Sequence, residues 1–185
     1  MFYCAGDIET FTFAKPIGVG LIQSSIQLTY SIYRDKPNEI IFIGTCGCYD
    51  DSKNILEIFE SRSASNIELS FLQQQSYTPL DNFITLEENV SHETLSKLTP
   101  HKIINSSNYI STDTQLTKNL LKLGIAYENM EFFSVLQVAK YFNLPAFGIF
   151  CSTNHIHKDA HKEFLANHKI AMRKIESYIK AKQNG

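Results

Sequence analysis

Arginine is scarce in this chain. Only Arg34, Arg62 and Arg173 stand among its 17 basic side chains, and there is no tryptophan in its 185 residues. Guanidinium groups grip phosphate bidentately, whereas lysine acts only as a point charge, so an anion site built from several arginines is unexpected. The net charge of −2, from 17 basic against 19 acidic residues, supplies no field for a dedicated nucleic-acid binder. No apolar run approaches the roughly 20 residues that cross a bilayer, and no membrane association is expected. Met1 to Glu9 carries two acids and no basic cluster, against a secretory leader. Cys46 and Cys48 lie two apart while Cys4 and Cys151 lie alone, a spacing that fits neither a disulfide framework nor a zinc site. Repeats and low-complexity linkers are also missing. What remains is 43% apolar residues in a length suited to one domain, 1–185, expected to be reduced and cytoplasmic.

Glycines and prolines divide the chain into short elements. Met1–Gly6 reads as a strand. Gly18-Val19-Gly20 opens a helix with Ile22, Ile26, Tyr30 and Tyr33 on one side, ended by Lys36-Pro37. Ile40–Ile43 is a continuous apolar run, the pattern of a strand buried on both faces, and Gly44-Thr45-Cys46-Gly47 reads as a tight turn after it. Strands are predicted at Ile55–Phe59 and Ile67–Phe71 with a serine-rich loop between them, and a short helix near Glu93–Lys97. A strand at Lys102–Asn105 precedes a helix capped by Asp113 and stopped by Gly124. A helix over Asn129–Phe142, a strand over Ala146–Cys151 and an amphipathic helix over Asp159–Lys182 complete the order. Strands alternating with helices imply an α/β sheet covered on both faces.

Ligands of such sheets sit at the carboxyl ends of strands. The segments brought there are Gly6-Asp7-Ile8-Glu9, Gly44 to Gly47, Ser106-Ser107-Asn108-Tyr109, Met130-Glu131 and Ser152-Thr153-Asn154-His155. Hydroxyls, an amide and carboxylates suit a neutral, hydroxyl-rich ligand such as a sugar or nucleoside, because a carboxylate accepts two hydrogen bonds from a vicinal diol. No serine–histidine–aspartate triad and no Walker loop is present. His155, His157 and His161 lack the carboxylate or cysteine that would complete a metal-ligand set, and no metal is expected.

In order and spacing these segments resemble the nucleoside phosphorylase and nucleosidase superfamily. Gly18-Val19-Gly20, a helix, Lys36-Pro37, a buried strand and Gly44-Thr45-Cys46-Gly47 are similar to the first half of its pattern. Glu128-Asn129-Met130-Glu131, a helix, Leu144-Pro145, a strand and Ser152-Thr153-Asn154 are similar to its Val-Glu-Met-Glu helix, Val-Pro and terminal Ser-Asp or Thr-Asn. The resemblance implies a three-layer α/β/α sandwich with a central mixed sheet. It also implies cleavage of a purine nucleoside through an oxocarbenium-like transition state, usually in a homo-oligomer. By position, Glu131 would hold the ribose hydroxyls and Met130 would pack on the sugar. Tyr109 would stack on the base, and Asn154 would bond the imidazole edge, as in 6-oxopurine enzymes. Gly6 and Asp7 match the Gly-Asp of the first loop, and Thr45 replaces a serine that contacts phosphate or ribose. His155 would approach the 5′ end.

The resemblance favours a purine-nucleoside phosphorylase with phosphate as co-substrate and no other cofactor. The chain departs from it where the phosphate would sit: Thr10 and Phe42 occupy the places of phosphate-binding arginines, and Lys15 is a poor substitute. An arginine from a neighbouring subunit is one remedy. Water is the other, with Glu9 matching the nucleosidase glutamate that activates it. Two alternatives therefore stand beside phosphorolysis. One is a nucleosidase acting on methylthioadenosine, adenosylhomocysteine or futalosine, and the other is an inactive nucleoside-binding relative. Without the resemblance, Met130 would read as core, Glu131 as a helix-dipole partner and Asn154 as a turn residue.

Overall fold

A computed structural model describes residues 1–87 and 102–184, so the helix expected at Glu93–Lys97 lies outside the described residues. The strands are β1 (Phe2–Cys4), β2 (Lys15–Pro16), β3 (Ile40–Cys48), β4 (Ile58–Ser61), β5 (Ser63–Ser65), β6 (Phe83–Thr85), β7 (Ile103–Asn105), β8 (Ile125–Glu128) and β9 (Ala146–His155). The described helices are α1 (Gly20–Asp35), α2 (Leu69–Leu72), α3 (Thr114–Lys122), α4 (Phe132–Tyr141) and α5 (Ala160–Asn184). All nine described strands join one mixed sheet. None of the described helices is long and apolar enough to cross a membrane.

Alternation along β3 and β9 builds the layers, since successive side chains point to opposite faces. Phe42 and Phe150 join Leu28 and Ile32 of α1 and Phe132, Val135 and Leu136 of α4 in one core. Ile43, Ile149 and Cys151 point the other way, onto Ala171, Ile175 and Ile179 of α5. The result is the three-layer α/β/α sandwich expected from the sequence.

The sheet forks at β3. Phe2 and Tyr3 of β1 pair in parallel with Ile41 and Phe42. Further along, Glu128 and Tyr127 of β8 pair antiparallel with Gly47 and Cys48. β9 meanwhile runs parallel to β3 from Ile40 to Cys48. β1 and β8 therefore leave Gly44-Thr45-Cys46 between them with a strand on one side only, and a cleft opens there.

Several local expectations give way to these pairings. Gly44–Gly47 is no turn but the second half of β3, held extended by β9 and then β8. Ser152–His155 likewise continues β9. The serine-rich loop contains β5, which pairs with β6 and β7. Ile67–Phe71 is no strand: α2 occupies Leu69–Leu72. The segment before Asn129 is β8, so α4 starts at Phe132 and Met130 precedes it. In α1 the stripe Ile22, Ile26, Tyr30 and Tyr33 faces outward at 60–69% exposure, while Ser24, Leu28, Ser31 and Ile32 are buried. Hydroxyls make that inversion possible: Ser24 meets Ser134 of α4 at 2.6 Å, and Ser31 meets Tyr3 at 3.2 Å.

Candidate active site

Side chains replace the missing strand at the fork. The Asn129 amide donates to the Thr45 carbonyl at 3.1 Å, and the Thr45 hydroxyl donates to Glu9. Glu9 reaches Thr45 because Gly6 to Glu9 folds back in a tight turn, closed by the Glu9 N–H on the Gly6 carbonyl at 2.9 Å. Gly6 takes φ +98°, and a Cβ there would lie 3.0 Å from Pro16, so this turn requires glycine. Asn129 also accepts from the Glu131 and Phe132 amides at 2.9 and 3.0 Å, which closes the entry to α4.

A cavity of about 310 Å³ opens over the fork. Its wall includes Gly6, Asp7, Glu9, Thr45, Tyr109, Met130, Glu131 and Asn154, eight of the nine residues expected from the sequence. His155 is the exception. Its ring nitrogen Nε2 lies 3.0 Å from the Lys53 carbonyl, and its side chain is not part of the wall. The histidine trio also separates, since His157 meets Glu163 at 3.1 Å while His161 stacks beside Phe164 at the cavity. Among the described residues no cluster of three His, Cys, Asp or Glu side chains is arranged to hold a metal ion.

Four carboxyls line this cavity: Asp7, exposed, Glu9 and Glu131, both buried, and Glu128, half-buried. Burial pushes Glu9 above the ordinary carboxylate range, against the pull of the Thr45 hydroxyl and amide and of His168. Burial raises Glu131 to about 7, opposed by the Gly20 N–H that it accepts at 2.9 Å and reinforced by the negative charge of Glu9. Glu131 thus caps the N-terminus of α1, where the helix dipole favours a negative charge. Asn108 takes the next amide, of Leu21, at 2.9 Å. Glu128 is raised to about 7 by burial, opposed by hydrogen bonds from Tyr49 and Ser111. No lysine or arginine is among the described residues of the wall.

Sequence reasoning quoted Glu128 only as part of a motif and missed it as a wall residue. Its one signal was an acid at the place where the resembling pattern has valine. In the sequence His161 stands out only as one of three clustered histidines, and Phe164 only as an apolar position of its helix. Neither has a local signal, because the cavity reaches them through the fold and not along the chain.

This chain is similar to known proteins in fold and not in sequence. No protein-family model matches it, and no curated protein matches it by sequence. Solved structures do match. The 5′-methylthioadenosine/S-adenosylhomocysteine nucleosidase of Helicobacter pylori, solved as a mutant with 5′-methylthioadenosine in the active site, superposes with a TM-score of 0.73 at 14% identity over 91% of this chain and 78% of that one. A mutant of the futalosine hydrolase of the same organism matches with a TM-score of 0.73 at 18% identity over 90% and 77%. The Streptococcus pneumoniae nucleosidase with a transition-state inhibitor matches at 0.71 and 10% identity over 94% and 93%. The fold is that of the nucleoside phosphorylase and nucleosidase superfamily.

Proposed function

We propose that this chain is a nucleosidase that cleaves the N-glycosidic bond of a purine nucleoside with water. The observation that carries the reading is the charge of the cavity: Glu9, Glu128 and Glu131 line it, and no described lysine or arginine does. A phosphate dianion placed among these groups meets repulsion with no guanidinium to offset it. Water is neutral, and a carboxylate held at the wall is the base that activates it. The matching structures carry the names of hydrolytic enzymes, which supports water over phosphate as the nucleophile.

In this reading Glu131 accepts the ribose 2′- and 3′-hydroxyls while the Gly20 amide holds its carboxylate in place, and Met130 packs on the sugar. Glu9, fixed by Thr45, orients the water. The acidic surroundings stabilise the positive charge that develops on the ribose in the transition state. Asn154 bonds the imidazole edge of the base, favouring a 6-oxopurine. Tyr109, 80% exposed at the rim, covers the base when it is bound. Gly6 and Asp7 shape the wall beside the water.

The test is base release from inosine, 5′-methylthioadenosine, S-adenosylhomocysteine and futalosine, with and without phosphate. Free sugar and a rate independent of phosphate are expected. A strict phosphate requirement with a sugar 1-phosphate as product overturns the proposal. Binding of a nucleoside by calorimetry with no turnover in either condition would make the chain an inactive relative.

The proposal includes a homo-oligomer. Ile22, Ile26, Tyr30 and Tyr33 of α1 and Tyr141 of α4 are 60–84% exposed, a larger apolar face than a monomer ordinarily leaves to solvent. Val19, at the cavity wall, immediately precedes α1, so a second copy on this face would lie beside the cavity mouth.

A further inference from the structure

Glu128 has no part in the roles assigned so far, yet it occupies a distinctive place. It pairs with Gly47 across β8 and β3, and Gly47 pairs with Asn154 across β3 and β9. Residues in register across neighbouring strands share a face of the sheet. Glu128, Gly47 and Asn154 therefore form one row in the cavity wall, with the glycine in the middle. A Cβ on Gly47 would stand 3.2 Å from Glu128 Cγ and 3.3 Å from the Asn154 amide nitrogen. The acid and the amide converge over a position that only glycine leaves clear.

One oxygen of this acid is anchored. The Tyr49 hydroxyl donates to Glu128 Oε2 at 2.9 Å, and Ser111 approaches it with both hydroxyl and backbone amide. The other two wall glutamates are committed elsewhere, Glu9 to Thr45 and Glu131 to the N-terminus of α1. A departing purine needs a proton, and the Asn154 amide cannot supply an acidic one. Of the three wall glutamates, Glu128 is the one that shares a row with it across Gly47.

We propose that Glu128 is the general acid of this site, donating its proton to the leaving purine beside Asn154. The proposal rests on the nucleosidase reading above. In the step, the water oxygen bonds to C1′ and the C1′–N9 electron pair passes to the purine. The Glu128 proton goes to a purine ring nitrogen, and the proton of the water goes to the Glu9 carboxylate. Free base and free sugar result, and proton exchange with solvent resets both carboxyls. Glu128 suits the task because burial raises it to about 7, so it keeps a large share of its proton in the neutral range. The titratable groups around it are Tyr49 and Cys46 of the β3 region, Asp7, Glu9, Tyr109 and Glu131 of the cavity wall and His161 of α5.

The experiment compares wild type and Glu128→Gln on inosine and 5′-methylthioadenosine, and on p-nitrophenyl riboside, whose leaving group departs without protonation. The amide keeps an acceptor for Tyr49 and Ser111. Expected is a loss of about 10²- to 10⁴-fold on the purine nucleosides, with p-nitrophenyl riboside changed by no more than about threefold. The alkaline limb of the purine rate profile should also disappear. Tyr49→Phe leaves the acid in place and removes a donor to its ionised form, so that limb should move to higher pH. Equal losses on both leaving groups, or an unchanged alkaline limb in both variants, overturn the assignment to Glu128. If the wild type cleaves without phosphate and the variants match it, only this assignment falls. If the wild type cleaves neither class of riboside, the nucleosidase reading falls with it.

Discussion

Replacing Glu128 with glutamine should make the protein more stable at alkaline pH, and the size of the gain follows from its burial. The carboxyl moves from an ordinary 4.5 in the unfolded chain to about 7 in the folded one. A group raised in the folded state contributes stability that is fully present below its unfolded value and lost as pH rises through its folded value. At about 1.4 kcal/mol per unit the full loss is on the order of 3 kcal/mol, of which about 2.5 kcal/mol develops between pH 5 and 8. Glutamine cannot ionise and escapes this loss. Urea unfolding of both proteins across that range should therefore show the variant gaining on wild type by about 2.5 kcal/mol, or about 5–10 °C in Tm for a chain of this length. Wild type retains a further pH dependence of the same sign from Glu131, also raised to about 7, which the variant shares and the difference cancels. Parallel stability curves for the two proteins would refute the claim that the folded protein holds Glu128 protonated up to about pH 7. The same titration serves as a folding control for the kinetic comparison.

Glu131→Gln should leave the tie to the α1 N-terminus largely in place and weaken nucleoside binding, read as a raised KM together with a lowered kcat; unchanged kinetics would remove Glu131 from the sugar site. Purine cleavage should rise with pH as Glu131, at about 7, ionises to accept the ribose hydroxyls, and Glu131→Gln should abolish that acid limb. Gly47→Ala places a methyl 2.7 Å from Ile156 Cδ1 and between Glu128 and Asn154, so it should cost about 1–3 kcal/mol in urea unfolding and slow purine cleavage. Light scattering should report a homo-oligomer, and Ile26→Glu, at a side chain 60% exposed, should dissociate it without unfolding the subunit; a monomeric wild type would refute the use of this face.

Much of the fold was legible where one stretch of chain settles its own conformation. The helix α1 was bounded correctly because Gly20 starts it and Lys36, at φ 47°, ends it with its N–H on the Ile32 carbonyl at 3.0 Å. Asp113 and Gly124 bound α3 in the same way. The apolar cores of β3 and β9 were equally plain. Their polar second halves were not, because Gly44–Gly47 and Ser152–His155 carry the residues of turns and are extended only through the ladder between them. Which face of α1 is buried was not legible for a related reason. Apolar periodicity marks a stripe, but Ser134 and Tyr3 give Ser24 and Ser31 partners inside while Ile22 and Ile26 remain outside.

The same division runs through the site. Eight of the nine expected residues meet at one cavity because they lie toward the carboxyl ends of strands, inside them as at Thr45 and Asn154 or just beyond, or immediately before a helix, places that chain order can mark. The scarcity of arginine was also a property of the sequence, and it already pointed away from a guanidinium-built phosphate site. Which carboxyls would face one another was not. Glu128, Gly47 and Asn154 are far apart in the chain and form a row only through two strand pairings, one antiparallel and one parallel. Composition sets what charges are available; register sets which of them share a face, and burial at that face sets whether they keep their protons.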